Sequence, residues 1–113
     1  MEVHVAERFE ATYRDIYELR FVVIGAYVAD CFVAAPRLPR WGEEYEVRSI
    51  RTAPGGKALN QAVALARLGA HVSAIGAVGE DGLGRDIMSA LTREGIETEF
   101  FITCEKAATS ICI

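Results

Sequence analysis

The chain has 113 residues, of which 51% are hydrophobic and 25% charged, and its net charge is −4. This composition excludes disorder, and the length suits one globular domain or part of one. Because the charge is acidic and Lys and Arg are scattered, nucleic acid and anionic membranes are not expected partners. No stretch reaches the roughly 18–20 apolar residues of a membrane span, and no secretory signal is evident, so we expect a cytoplasmic protein.

The three cysteines, Cys31, Cys104 and Cys112, have no CxxC spacing and no histidine-rich neighbourhood. The sequence therefore predicts neither a metal site nor a disulfide framework. We expect free thiols that are buried or partly buried. A small redox protein is the least favoured function, because no cysteine has an activating neighbour.

The first 20 residues form a predicted helical extension. Phe9, Tyr13, Ile16 and Tyr17 recur at helical spacing among charged residues, which predicts an amphipathic helix over about 6–19. The pattern assigns no function to this helix.

Residues 21–113 alternate between strand and helix patterns. The apolar run 21–24 predicts a strand buried on both faces, and the period-2 pattern over 45–51 predicts an exposed antiparallel strand that Pro54-Gly55-Gly56 ends. Helices are predicted from Ala58 to a stop at Gly69, and around Ile87 to a stop at Gly95. Further strands are predicted at 71–78, 99–103 and 109–113. This order indicates an α/β fold built from parallel βαβ units. Because the last residues form an apolar run without a cap, we expect a truncated chain.

The turn Pro54-Gly55-Gly56-Lys57 lies between a predicted strand and a predicted helix. Backbone N–H groups at such a helix start can approach a ligand closely, since glycine has no Cβ. The spacing fits neither a Walker A loop nor a GxGxxG dinucleotide fingerprint. The turn is therefore either a cradle, that is, a loop that binds a ligand through its backbone N–H groups, or an ordinary helix start that contains two glycines.

Polar residues near this turn are candidates for binding. Lys57 and Asn60 lie on the first helical turn, although Asn60 also suits a buried structural amide. Asp30 follows the first strand, where open α/β sheets bind ligands, although it also suits a turn. Asp81 is predicted to cap the second helix.

Four sets of segments stand out in chain order: Val23-Ile24-Gly25 with Asp30, Leu38-Pro39 with Gly42-Glu43, 55–64 followed by 66–70, and 75–81 with Gly84. Together they resemble the N-terminal signature of the ribokinase or PfkB-type carbohydrate kinases. Val28 and Leu59 depart from the pattern common in ribokinases, so the resemblance does not name the sugar.

The resemblance implies a ribokinase-like α/β core with part of a small β-sheet lid at about 31–35, 44–53 and 109–113. It further implies ATP- and Mg²⁺-dependent phosphoryl transfer to a sugar hydroxyl. In that family the matching Asp30 and Asn60 would hydrogen-bond the sugar, Gly55 and Gly56 would contact it through backbone, and Lys57 would lie beside it. A carboxylate suits a sugar because it accepts hydrogen bonds from two hydroxyls at once.

The family's second signature, a Gly-Ala-Gly-Asp-type segment with the catalytic base and anion hole, is absent from these 113 residues. We therefore assign no catalytic residue, and we expect the chain alone to bind no ATP and to transfer no phosphate. The alternative is a non-catalytic sugar-binding or dimerisation module. Apolar residues at 44–51 and 109–113 lead us to expect a homo-oligomer.

Overall fold

The computed structural model describes residues 16–113, so residues 6–15 of the predicted helix over 6–19 lie outside the described residues. The predicted helix end at residue 19 is wrong, because residues 17 and 18 form a turn. Neither helix within this range is long and apolar enough to cross a membrane. The strands are β1 Arg20–Ile24, β2 Val28–Ala34, β3 Ser49–Gly55, β4 His71–Ile75, β5 Ala77–Gly79, β6 Ile102–Cys104 and β7 Ile111–Cys112; the helices are α1 Lys57–Arg67 and α2 Gly82–Arg93.

Two parallel strand pairs form the core of the fold. β1 pairs with β4 from Arg20↔His71 to Ile24↔Ile75, and β5 pairs with β6 from Ala77↔Ile102. Both connections pass through a helix, because parallel neighbours need a crossover. The predicted α/β class with parallel βαβ units is confirmed.

Gly76 divides what the sequence predicts as one strand over 71–78. The Gly76 carbonyl accepts from the amide of Ile102 at 2.9 Å, which moves the chain to a new partner strand. A side chain at Gly76 would meet the Tyr27 ring at 2.5 Å, and that ring packs edge-on against Phe101 with centroids 4.8 Å apart. The single-strand prediction is therefore wrong. The predicted 99–103 strand also shifts to Ile102–Cys104, because residues 99–100 form a turn.

One apolar cluster joins α1 and α2 to the core strands. At its centre, Ala62, Ile87 and Leu91 are fully buried. Gly69 and Gly95 end the helices with positive φ, as predicted. The cluster contains Val23, Tyr27, Ala58, Leu59, Ala62, Val72, Ala74, Val78, Ile87, Leu91 and Ile96.

The prediction that 21–24 is buried on both faces is wrong. Val23 is buried, whereas Val22 is 60% and Ile24 72% exposed. Successive strand residues point to opposite faces, and α1 and α2 belong to the cluster on Val23's face.

β3, β2 and β7 form a second, small sheet in that order. β2 is antiparallel to β3 from Val28↔Gly55 to Ala34↔Ser49, and parallel to β7 at Ala29↔Ile111. These strands overlap the three segments assigned to a lid by resemblance. The predicted 45–51 strand starts later, at Ser49, and continues through Pro54 instead of ending there. Proline is tolerated because β3 is an edge strand, where the missing N–H breaks no ladder.

We expect Leu91→Ala to lower the free energy of unfolding by about 2–5 kcal/mol, because it removes methyl groups from a fully buried site. Urea denaturation followed by circular dichroism measures this loss. Leu38→Ala is the matched control, since Leu38 is 89% exposed and its truncation should cost little. Equal losses in both variants would contradict the assigned core.

Candidate functional site

Asp30 lies inside β2 and is half-buried. Its neighbours across the small sheet are Ala53 on β3 and Cys112 on β7. The alternative of a turn-forming aspartate is therefore wrong, because Asp30 is in a strand. Asp30 does follow the carboxyl end of the parallel core strand β1, which ends at Ile24. A central strand fixes the backbone of Asp30 from both sides.

The Asp30 carboxylate packs directly on the backbone of Gly55. A Cβ built on Gly55 would lie 2.5 Å from the Asp30 Cγ and would overlap a carboxylate oxygen. Any larger residue would displace the carboxylate, so the first glycine of the predicted cradle is required by this contact.

Among residues 16–113, the Asp30 carboxylate has no hydrogen-bond or ion-pair partner. An ionised carboxylate has about four acceptor positions, and leaving them empty in a half-buried setting is costly unless water or a ligand fills them. The carboxylate is thus available to accept hydrogen bonds from a bound molecule.

Gly56 is the second position of the turn that requires glycine. Its φ is +98°, and a Cβ there would come within 2.5 Å of the Ala26 carbonyl oxygen. The same glycine is the N-cap of α1, where no side chain caps the helix. The backbone N–H groups in the first turn of α1 therefore donate to no side-chain cap and are open to a ligand at the glycine turn. The helix dipole adds partial positive charge at the same place.

Lys57 and Asn60 are both exposed on the first turn of α1. Asn60 donates its backbone N–H to the Gly56 carbonyl at 3.0 Å. The alternative of a buried structural amide at Asn60 is therefore wrong, because its side chain is in contact with solvent. The structure thus places all five predicted binding residues at the start of α1 or against the glycine turn before it.

Asp81 caps α2, as predicted, by accepting from the Gly84 N–H at 2.8 Å. Sequence reasoning missed its second partner, Thr109. The Asp81 carboxylate accepts from the Thr109 N–H at 2.8 Å and from the Thr109 hydroxyl at 2.7 Å. The Thr109 hydroxyl oxygen in turn accepts from the Gly79 N–H at 2.9 Å. We call Asp81, Thr109, Gly79 and Gly84 the Asp81–Thr109 clamp.

The clamp is buried at Thr109 and favours the ionised form of the Asp81 carboxyl. Thr109 is only 4% exposed, and among residues 16–113 no other polar residue is buried to this degree. Hydrogen bonds from the Thr109 N–H, the Thr109 hydroxyl and the Gly84 N–H, in that order, hold the pKa of Asp81 below its usual range. Folding therefore favours the ionised form.

The three cysteines of the chain are free thiols. Cys31 and Cys104 are half-buried free thiols, as expected, whereas Cys112 is exposed, contrary to the prediction. Within residues 16–113 no three His, Cys, Asp or Glu side chains cluster in a way that could hold a metal ion. No catalytic step is assigned through a metal ion or a nucleotide.

A groove of about 420 Å³ lies between α2 and the ends of β5 and β6. It contains none of the predicted binding residues, although Gly79 and Gly84 of the clamp form part of its wall. Its lining residues are Gly79, Glu80, Gly84, Arg85, Met88, Ser89 and Thr103.

Comparison with known proteins gives consistent matches. The family model described as pfkB family carbohydrate kinase matches residues 19–113. The chain is 44% identical over 78 residues to a ribokinase of Bacillus subtilis, covering 69% of this chain and 27% of that protein. It is 37% identical over 89 residues to a ribokinase of Haemophilus influenzae, covering 79% and 29%. The chain thus spans less than a third of the length of these relatives.

Solved structures agree. Arabidopsis thaliana ribokinase, complexed with ribose and ATP, superposes with a TM-score of 0.72 at 33% identity, over 80% of this chain and 30% of that one. Halothermothrix orenii fructokinase superposes with a TM-score of 0.71 at 27% identity, over 82% and 32%. The fold is therefore that of the ribokinase-like sugar kinases. The chain belongs to the pfkB family of carbohydrate kinases.

The lowered pKa of Asp81 predicts a pH-dependent stability. The clamp stabilises the fold above the ordinary carboxyl pKa of about 4, and this contribution is lost as pH falls through the lowered pKa in the folded state. Urea unfolding of the wild type and Asp81→Asn from pH 7 to pH 3 should show an advantage of the wild type that shrinks at the acid end. A constant difference across that range would contradict the assignment.

Proposed function

We propose that this chain carries the sugar-binding part of an ATP-dependent carbohydrate kinase that transfers a phosphoryl group to a sugar hydroxyl. The observation that carries the proposal is the half-buried Asp30 carboxylate, which rests on Gly55 without a protein partner among the described residues. The family membership of residues 19–113 supports it. So does the ribose bound to the Arabidopsis ribokinase.

Each residue has a role that follows from its chemistry. The Asp30 carboxylate accepts hydrogen bonds from two neighbouring hydroxyls, and Asn60 can both donate to and accept from a third. Gly55 and Gly56 let the sugar approach the backbone, because no Cβ occupies that space. Lys57 provides a positive charge beside the bound sugar.

The same residues bind and orient the acceptor but do not perform the transfer. Phosphoryl transfer needs a group to position and deprotonate the hydroxyl and donors to hold the phosphoryl charge. Neither is assigned to residues 16–113. We therefore propose that this chain alone binds sugar without transferring phosphate from ATP.

We expect Asp30→Asn to weaken ribose or fructose binding by roughly 1.5–3 kcal/mol, about ten- to a hundred-fold, because the charge-assisted hydrogen bonds are lost. Isothermal titration calorimetry on the 113-residue chain measures the dissociation constant. Glu18→Gln makes the same charge change at an exposed turn residue before β1 and should leave affinity unchanged.

Unchanged affinity in Asp30→Asn would assign Asp30 a structural role. A loss of equal size in Glu18→Gln would show that net charge, and not a specific contact, governs binding. A [γ-³²P]ATP assay with the same sugars checks the second half of the proposal, and turnover that Asp30→Asn abolishes would refute it.

A second role, self-association through the small sheet, is favoured by its exposed apolar face. Val33 and Ile50 are register partners and are 41% and 64% exposed, and Ile111 on β7 is 55% exposed. Strand alternation places all three on the face opposite Asp30. We propose that a second copy of the chain covers this face.

We expect the wild type to sediment as a dimer or larger species, and Ile50→Lys to shift it towards monomer, because a charge would be buried at the contact. Analytical ultracentrifugation at matched concentrations measures the distribution. Ser49→Lys adds the same charge to the opposite face of β3 and serves as the control. A wild-type monomer, or equal dissociation in both variants, would contradict the assigned face.

A further inference from the structure

The Asp81–Thr109 clamp ties Thr109 to the segment 79–84, about 28 residues earlier in the chain. Gly79 ends β5, Gly84 lies in the first turn of α2, and Thr109 precedes β7 by two residues. Four hydrogen bonds of 2.7–2.9 Å connect them through one carboxylate and one hydroxyl. The start of β7 is therefore fixed relative to the core of the domain.

β7 is the immediate neighbour of Asp30. Its two residues pair with β2 at Ala29↔Ile111 and Asp30↔Cys112, and the Ala29 N–H donates to the Ser110 carbonyl at 2.9 Å. A ladder of two residue pairs is too short to hold a strand in place by itself. The anchoring of Thr109 supplies the missing restraint.

A helix cap alone does not explain this arrangement. An N-cap aspartate needs one hydrogen bond, from a backbone N–H of the first turn, and Gly84 provides it. Two of the three hydrogen bonds to the Asp81 carboxylate come instead from Thr109. The Asp81 carboxylate therefore does more than cap the N-terminus of α2.

We propose that Asp81 and Thr109 are positioning residues for the sugar site, because they hold β7 against β2 and so keep the Asp30 carboxylate over Gly55. The proposal rests on the proposed role of Asp30 in sugar binding. Asp30 has no side-chain partner among residues 16–113, so its placement depends on the backbone of β2 and on the strands beside it. Without β7, β2 becomes an edge strand at Asp30, and the carboxylate samples more positions before it meets a ligand.

Hydrogen exchange followed by NMR on the 113-residue chain tests the first step. Thr109→Val keeps the shape of the side chain but removes the hydroxyl, and it should lower protection of the Ala29 N–H by about tenfold or more. The Ala74 N–H, which donates to the Glu97 carbonyl within the core, should keep its protection. Thr109→Ser retains the hydroxyl and should restore protection at Ala29.

Two further variants keep the result interpretable. Asp81→Asn can still accept from Gly84 but cannot accept both bonds from Thr109, so it should reproduce the loss at Ala29 if Thr109→Val fails to fold. Thr92→Val removes an exposed hydroxyl that donates to the Met88 carbonyl on α2, and it should change neither amide. Unchanged protection of Ala29 in folded Thr109→Val or Asp81→Asn would overturn the clamp.

Ribose titration of the same variants tests the second step. We expect affinity to fall about tenfold in Thr109→Val and Asp81→Asn, and to return in Thr109→Ser. Wild-type affinity in a variant that has lost protection at Ala29 would overturn the positioning role. Parallel loss of protection at Ala74 that serine does not restore would reduce the clamp to general stability. If the wild type binds no sugar, the proposed function fails, and the exchange results still decide whether the clamp holds β7.

Discussion

The contact between the Asp30 carboxylate and the backbone of Gly55 is the constraint on which the candidate site depends. It requires glycine at position 55, and it requires β3 to extend to that glycine so that the Val28↔Gly55 pair can close the ladder. Because α1 begins two residues later, the same glycine fixes the helix start relative to the carboxylate. Because Gly55 has no Cβ, the Asp30 carboxylate, the end of β3 and the N-terminus of α1 can lie close together.

Much of the fold follows from local sequence patterns. The helix stops at Gly69 and Gly95 and the Asp81 cap are short-range signals, since each depends on residues within about one helical turn. The grouping of Gly55, Gly56, Lys57 and Asn60 is local for the same reason. Asp30 could be selected because it lies close behind the first strand, although its place inside β2 depends on pairing with Ala53, which is 23 residues later in the chain.

The predictions that were wrong share a physical cause, because each concerns contacts between residues that are distant in sequence. The strand predicted over 71–78 divides at Gly76 because Tyr27 and Phe101 pack there. β3 extends through Pro54 because it is an edge strand, a property that no run of residues encodes. Thr109 was missed because its partner, Asp81, is 28 residues earlier and the spacing matches no motif. Burial of Val22 and Ile24 was overestimated because strand composition does not say which face a helix covers.

Strand alternation gives the small sheet two faces with different chemistry. Asp30, Ala53 and Cys112 share one row, so their side chains lie on the face that carries the carboxylate. Ala29 and Ile111 lie on the other face, where Ala29 is buried and Ile111 is 55% exposed. The proposed binding of a polar ligand and the proposed burial of apolar surface would therefore use the same three strands without competing for side chains. Both faces depend on β7 remaining beside β2, and β7 depends on the anchoring of Thr109, so the clamp acts on both faces at once.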